Sequence, residues 1–181
     1  IRFHYEDRED MFDAHSYDKG GLILHMLRNY VGDEAFFKSL HLYLTENAYE
    51  SVEVHNLRLA FEQITGEDLN PFFNQWFFSA GHPNLDISYS WDAETKKASI
   101  TIAQTQPASK EVPHIFDLPL AVDIYELNGK SRREQIRMTK RTQTFEFDAP
   151  EKPALMNVDA AKTLLAVKND PMQPDPRGLT D

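Results

Sequence analysis

The chain has 181 residues and a mass of 20.9 kDa, the size of one substantial domain or two small ones. With 19 Lys+Arg against 29 Asp+Glu, a net charge of −10, it lacks the surplus of cations that a general nucleic-acid binder or a polybasic membrane-surface protein turns toward phosphate. It is 41% hydrophobic, enough for a real core, but no run of ~18 apolar residues could span a membrane, and the absence of cysteine excludes disulfides, thiolate metal sites and cysteine nucleophiles.

The start, Ile1-Arg2-Phe3-His4, has no initiator Met, no basic segment and no apolar segment, as expected of a chain cut from a longer one. Glu6, Asp7, Glu9, Asp10 and Asp13 follow as an acidic cluster. The plain reading is a solvated, partly irregular lead-in; the functional one is a negative rim that attracts a cationic substrate end. Leu22, Met26, Leu27 and Tyr30 then recur at helical spacing, and Gly32 should stop that helix. Asp33 is expected to cap a second helix bearing Phe36, Phe37, Leu40, Tyr43 and Leu44. A third carries Leu57, Phe61 and Ile64 and ends at Gly66. A fourth opens at Asp68, accepts Pro71 in its first turn and buries Leu69, Phe72, Phe73, Trp76 and Phe77 before Gly81 and Pro83.

The pattern then changes from period 3.6 to period 2. Leu85, Ile87, Tyr89 and Trp91 point one way, Asp86, Ser88 and Ser90 the other. Ala98, Ile100 and Ile102 repeat the alternation, and Phe116 to Ile124 should make the longest strand. Asn128-Gly129 signals a hairpin with a type I′ turn. Further strands through Ile136 and Met138, Phe145 and Phe147, Leu155 and Val158, and Leu164 to Val167 bring the total to about seven. Residues 1–83 carry 6 Lys+Arg against 14 Asp+Glu, and nine of the twelve Phe, whereas residues 84–181 carry 13 against 15. The expected organisation is an α+β two-part chain: a helical lobe over 1–83, an antiparallel β-sandwich over 84–168, and a Pro-rich tail over 169–181 with Pro171, Pro174 and Pro176.

Few residues suggest chemistry. The seven histidines include no His-Glu-x-x-His and no pair three or four apart; a zinc site needs three or four converging ligands, so no complete metal site is expected in this chain. Lys130, Arg132, Arg133 and Arg137 form a small basic patch beside a hairpin, best explained as charge guarding a sheet edge. Phe72-Phe73-Asn74-Gln75-Trp76-Phe77-Phe78 is more apolar than one helix face requires; core packing explains most of it, with Phe78 turned toward the sandwich and an aromatic ligand cage as the alternative. In Ser16-Tyr17-Asp18-Lys19-Gly20-Gly21, two glycines in the first turns of a helix cost roughly 1 kcal/mol each against Ala. Close approach of a backbone or ligand should compensate. Tyr17 projects from that helix start, where a hydroxyl could donate to a developing oxyanion. From spacing alone a structural tyrosine is the simpler reading.

Phe12-Asp13-Ala14-His15-Ser16-Tyr17-Asp18-Lys19-Gly20-Gly21, running into Leu24-His25-Met26-Leu27-Arg28, resembles the zinc aminopeptidases of the aminopeptidase N type, the family that includes leukotriene A hydrolase and puromycin-sensitive aminopeptidase. Val31-Gly32-Asp33-Glu34-Ala35-Phe36, Asn56-Leu57, Phe61-Glu62, Thr65-Gly66, Asp68-Leu69, Phe72-Phe73-x-x-Trp76 and Gly81-His82-Pro83 agree in order and spacing, and Leu155-Met156-Asn157-Val158-Asp159 resembles the end of the family's sandwich. The resemblance implies that Tyr17 stabilises the tetrahedral oxyanion beside a catalytic zinc, in a parent enzyme that removes N-terminal residues from peptides. It also implies that this chain is the C-terminal part of the catalytic domain plus the following sandwich. The family's His-Glu-x-x-His with its downstream Glu, and its Gly-x-Met-Glu-Asn loop, are missing here, so the chain alone is expected to hold no catalytic zinc and to hydrolyse nothing. A catalytically dead scaffold is the rival within the family; a peptide- or sugar-binding module is the rival outside it.

Overall fold

Two glycines with left-handed backbones divide the helical half. Gly32 (φ +83°) ends α1 (Gly20–Val31) and begins α2 (Asp33–Glu46), and Gly66 (φ +73°) ends α3 (Val54–Thr65). Without a Cβ these residues take the conformation at little steric cost. The computed structural model describes residues 6, 7, 9, 12, 13, 15–107 and 109–172. Asp10 of the acidic cluster and Pro174 and Pro176 of the tail lie outside them. The chain falls into two compact units, Ile1–Ala80 and Gly81–Asp181.

In the first unit a π-helical turn, His15–Lys19, leads into α1. After α3 come the short α4 (Asn70–Phe73) and a second π-helical turn, Asn74–Phe78. The core is Leu27, Phe36, Phe61, Leu69 and Phe73. Phe61 meets Phe36 edge-on at 5.5 Å, and Phe73 stacks on Phe77 at 4.8 Å. Glu53 and Asn56 form a reciprocal capping box at the start of α3.

Three sequence expectations change here. Asp33 does not cap α2 but is its first residue, and Gly32 occupies the cap; the Asp33 carboxylate instead accepts two hydrogen bonds from Arg28, at 2.8 and 2.7 Å. Tyr30 is half-exposed, because the buried face of α1 runs through Ile23, Met26 and Leu27, with Tyr30 one turn beyond them at the helix end. Phe78 stacks against His55 of α3 at 5.0 Å, an arrangement within the helical unit.

The second unit carries seven strands: β1 (Asn84–Asp92), β2 (Lys97–Gln104), β3 (Leu118–Tyr125), β4 (Ser131–Met138), β5 (Thr142–Asp148), β6 (Leu155–Val158) and β7 (Val167–Asn169). They form two sheets, β5-β2-β1-β7 and β4-β3-β6. Leu85, Ile87, Ala98, Ile100, Ile102, Leu118, Leu120, Val122, Ile124, Met156 and Val158 are buried at the alternating positions the period-2 pattern marks. All pairings are antiparallel except β1 with β7, which run parallel with Asn84 opposite Val167.

The longest strand is β1, because Phe116 belongs to the preceding loop rather than to β3. Gln104 holds Phe116 there: its Oε1 accepts the Phe116 amide and its Nε2 donates to the Phe116 carbonyl, both at 2.8 Å. The β3–β4 hairpin closes differently from expectation. Gly129 at φ +83° donates its amide to the Glu126 carbonyl, and the Glu126 amide donates to Lys130, so the loop is a three-residue turn with one left-handed glycine. A type I′ turn would need the left-handed region at Asn128 as well. Asn169 completes β7 and Asp170 is buried beneath the Tyr89 hydroxyl, so these two residues belong to the sandwich rather than to a tail. No helix among the described residues is long and apolar enough to cross a membrane.

Gly21 and Gly81 should respond oppositely to Ala. A Cβ on Gly21 meets nothing within 4 Å, so Gly21→Ala is expected to raise stability by ~0.5–1 kcal/mol through helix propensity. A Cβ on Gly81 (φ +74°) lies 3.1 Å from both Val112 methyls, so Gly81→Ala is expected to lower the denaturation midpoint of the sandwich. Urea titrations followed by a probe of each unit check both signs.

A second expectation concerns acid. Two hydrogen bonds from Arg133, at 2.6 and 2.7 Å, hold the Asp123 carboxyl below its ordinary value. A depressed carboxyl contributes stability that is fully present above its unfolded value of ~3.9 and is lost as pH falls through the folded value. The urea midpoint of the sandwich should therefore fall more steeply below about pH 4 in the wild type than in Arg133→Leu. Parallel pH profiles would contradict the assignment.

Candidate active site

Tyr17 is the third residue of the π-helical turn that precedes α1. Its side chain is 62% exposed, and its ring stacks on that of Phe12 with centroids 6.2 Å apart and planes 29° from parallel. Backbone contacts hold it from below: the amides of Ser16 and Tyr17 both donate to the Asp13 carbonyl at 3.1 Å. The Ser16 amide also donates to Asp13 Oδ1 at 2.9 Å. Lys19, half-buried, has its ammonium pushed below the ordinary lysine value by burial. Gly20 and Gly21 follow where the helix tightens from π to α winding. The close neighbour expected at the glycines is not present at Gly21 among the described residues.

An exposed phenol on a helix start presents its O–H to whatever occupies the space beyond it. Such a hydroxyl can donate to an oxygen that gains negative charge during a reaction. The π winding matters because a turn closed by i→i+5 bonds projects successive side chains at different angles from an α turn, and such turns recur at functional positions.

The other sequence candidates resolve into structure. Among the described residues, no three His, Asp or Glu side chains come together to hold a metal. The arginines of the basic patch are paired locally. Arg133 pairs with Asp123 and Arg137 with Asp117, while Arg132 bonds Glu134 and the carbonyl of Asp148. These arginines lie on β4, an edge strand, where charge discourages pairing with another sheet. In the aromatic run Phe73 and Trp76 are buried and Phe72 and Phe77 pack against the core, which leaves no cage. A shallow groove of about 720 Å³ runs along α2 past Phe37, His41 and Ile64 and shares no residue with the Tyr17 turn.

Two arrangements go beyond what the sequence pattern marks. Asp13 closes the acidic cluster, yet its position three residues before Ser16 is the spacing of a side-chain cap. In the sandwich, Tyr89 donates to both carboxylate oxygens of Asp170, at 3.0 and 2.9 Å. Burial first, and then the Asp170 charge, raise the Tyr89 hydroxyl far above its ordinary value, so it serves as a fixed donor. Nothing in period-2 alternation marks a hydrogen bond between residues 81 positions apart.

The chain resembles known proteins in two separate stretches. Residues 3–76 match the Peptidase family M1 domain, and residues 81–159 match a domain of unknown function, DUF3458, described as an Ig-like fold. The chain is similar to M1 peptidases of the aminopeptidase N type, over the helical stretch and the Ig-like stretch that follows it. It is 30% identical over 142 residues to aminopeptidase N of Haemophilus influenzae, covering 72% of this chain and 16% of that protein. It is 32% identical over 125 residues to aminopeptidase N of Streptomyces lividans, covering 67% and 15%, and 36% identical over 110 residues to aminopeptidase M1 of Arabidopsis thaliana, covering 61% and 12%. The crystal structure of Legionella pneumophila aminopeptidase A in complex with aspartic acid shares the fold, with a TM-score of 0.74 at 16% identity over 92% of this chain and 19% of that one. The chain thus spans about one sixth of the length of the M1 relatives it matches.

The metal-ligand reading is directly testable on this chain. Elemental analysis after mild chelation is expected to find well under one zinc per chain. Stoichiometric zinc that survives chelation would contradict it.

Proposed function

We propose that this chain is part of a zinc-dependent aminopeptidase that removes N-terminal residues from peptides, and that Tyr17 is its contribution to the chemistry. The observation that carries the reading is the placement of Tyr17: an exposed phenol on a π-wound helix start, within the stretch that matches the M1 peptidase domain. In peptide hydrolysis the carbonyl oxygen gains negative charge as the tetrahedral intermediate forms. The Tyr17 O–H donates to that oxygen, and the bond strengthens as the charge grows, so the transition state gains more than the ground state. In the parent enzyme the zinc and the general base come from residues outside this chain, and the chain alone is inactive. The second unit is a sandwich with no assigned chemical part in the reaction.

Tyr17→Phe in the complete protein tests this reading. It removes one hydroxyl and leaves the ring free to stack on Phe12. The expected loss is ~10²–10³ in kcat, the usual effect of deleting one oxyanion donor, with a much smaller change in KM. Wild-type turnover in that variant would overturn the assignment.

A further inference from the structure

Among the described residues of this chain, Tyr17 is 62% exposed and Phe12, whose ring stacks on it, is 65% exposed, so the helical core does not set where the phenol points. The backbone must do so. A helix start leaves its first amides without intrahelical acceptors, and an uncapped first turn frays. Asp13 supplies both acceptors here. Its carbonyl oxygen takes the amides of Ser16 and Tyr17, and its carboxylate Oδ1 takes the Ser16 amide as well. Any residue at this position has a carbonyl, but only a short side-chain acceptor can bond Ser16 at the same time and so fix the orientation of that carbonyl. The carboxylate thereby acts on Tyr17 through one peptide unit.

On this basis, and resting on the reading of Tyr17 as the oxyanion donor, we infer that Asp13 is a positioning residue for Tyr17. It touches no reacting atom. It holds the π-helical turn in the geometry from which the phenol reaches its acceptor. Misplacement of a catalytic group by ~1 Å can cost on the order of 10²-fold in rate, so a cap that is modest in stability can be large in turnover.

The experiment uses the complete protein with Asp13→Asn, Asp13→Ala, Asp13→Glu, Tyr17→Phe and the double variant Asp13→Ala/Tyr17→Phe. Asn keeps the Oδ1 acceptor without the charge and should stay within about twofold of wild-type kcat. Ala removes the acceptor, and Glu keeps the charge but displaces it by one methylene. Both should lower kcat by about tenfold to a hundredfold with KM within about twofold. In the Tyr17→Phe background Asp13→Ala should cost nothing further, because a group that acts only through the hydroxyl has nothing left to act on. If Asp13→Ala does not fold, the Asn and Glu variants carry the decision. Full multiplication of the two losses in the double variant, a loss in Asp13→Asn equal to that in Asp13→Ala, or wild-type kcat in both Asp13→Ala and Asp13→Glu would each overturn the inference. Wild-type kcat in Tyr17→Phe would instead overturn the underlying reading of Tyr17, a separate and recognisable failure.

Discussion

Phe61 is completely buried, and the helical unit is arranged around it. Its ring lies edge-on to Phe36 of α2, and Leu27 of α1, Leu69 and Phe73 close the same cluster. A fully buried side chain of this size contributes ~1.5–3 kcal/mol, whereas a helix cap contributes ~1 kcal/mol. The core therefore fixes the body of α1 through Leu27, and the cap decides only the turn that precedes it. Tyr17 stands on that first turn. A turn of low local stability at the end of a firmly held helix opens and closes without unfolding the domain. The chemistry proposed for Tyr17 thus depends on two scales of interaction: an aromatic cluster that positions the helix axis, and a few hydrogen bonds at Asp13 that position one side chain.

The sandwich uses buried polar groups to hold what strand pairing leaves loose. Gln104 fastens Phe116 into the core, and Gln106 reaches the carbonyls of Pro113 and His114, so the long loop before β3 is tied down along its return. Asp159, in a left-handed backbone conformation at φ +53°, accepts from the Thr163 amide and hydroxyl and from Lys168. This clasp turns the chain from β6 into β7, and Tyr89 then fixes Asp170 just after the strand. Each group is satisfied, which is the condition under which buried polar atoms stabilise one arrangement rather than cost free energy.

The legible parts of the fold were those governed by period and by glycine. Alternation at Leu85, Ile87, Ala98, Ile100 and Ile102 identified the buried faces of β1 and β2, because a half-buried strand must repeat every two residues. Gly32 and Gly66 marked helix ends because only glycine takes their backbone conformation cheaply. What failed depended on tertiary partners. Asp33 has the chemistry of a cap, yet Arg28 claims its carboxylate. Asn128-Gly129 has the composition of a type I′ turn, yet the pairing of Glu126 with Lys130 sets a loop one residue longer. The parallel partner of β7 is invisible in three residues of sequence, since direction leaves no mark on alternation. Tyr17 stands out only through the family resemblance. The bond from the Ser16 amide to Asp13 is not legible, because a capping aspartate and a solvated one look alike inside an acidic run.

The central claim is that Tyr17 binds the transition state rather than the substrate. The most direct measurement is the affinity of the complete protein, wild type and Tyr17→Phe, for two inhibitors: a phosphinic peptide that mimics the tetrahedral intermediate, and a free amino acid that mimics the product. The variant should lose affinity for the phosphinate in step with its loss of kcat/KM, with amino acid affinity nearly unchanged. Equal losses for both inhibitors, or none for the phosphinate, would contradict it.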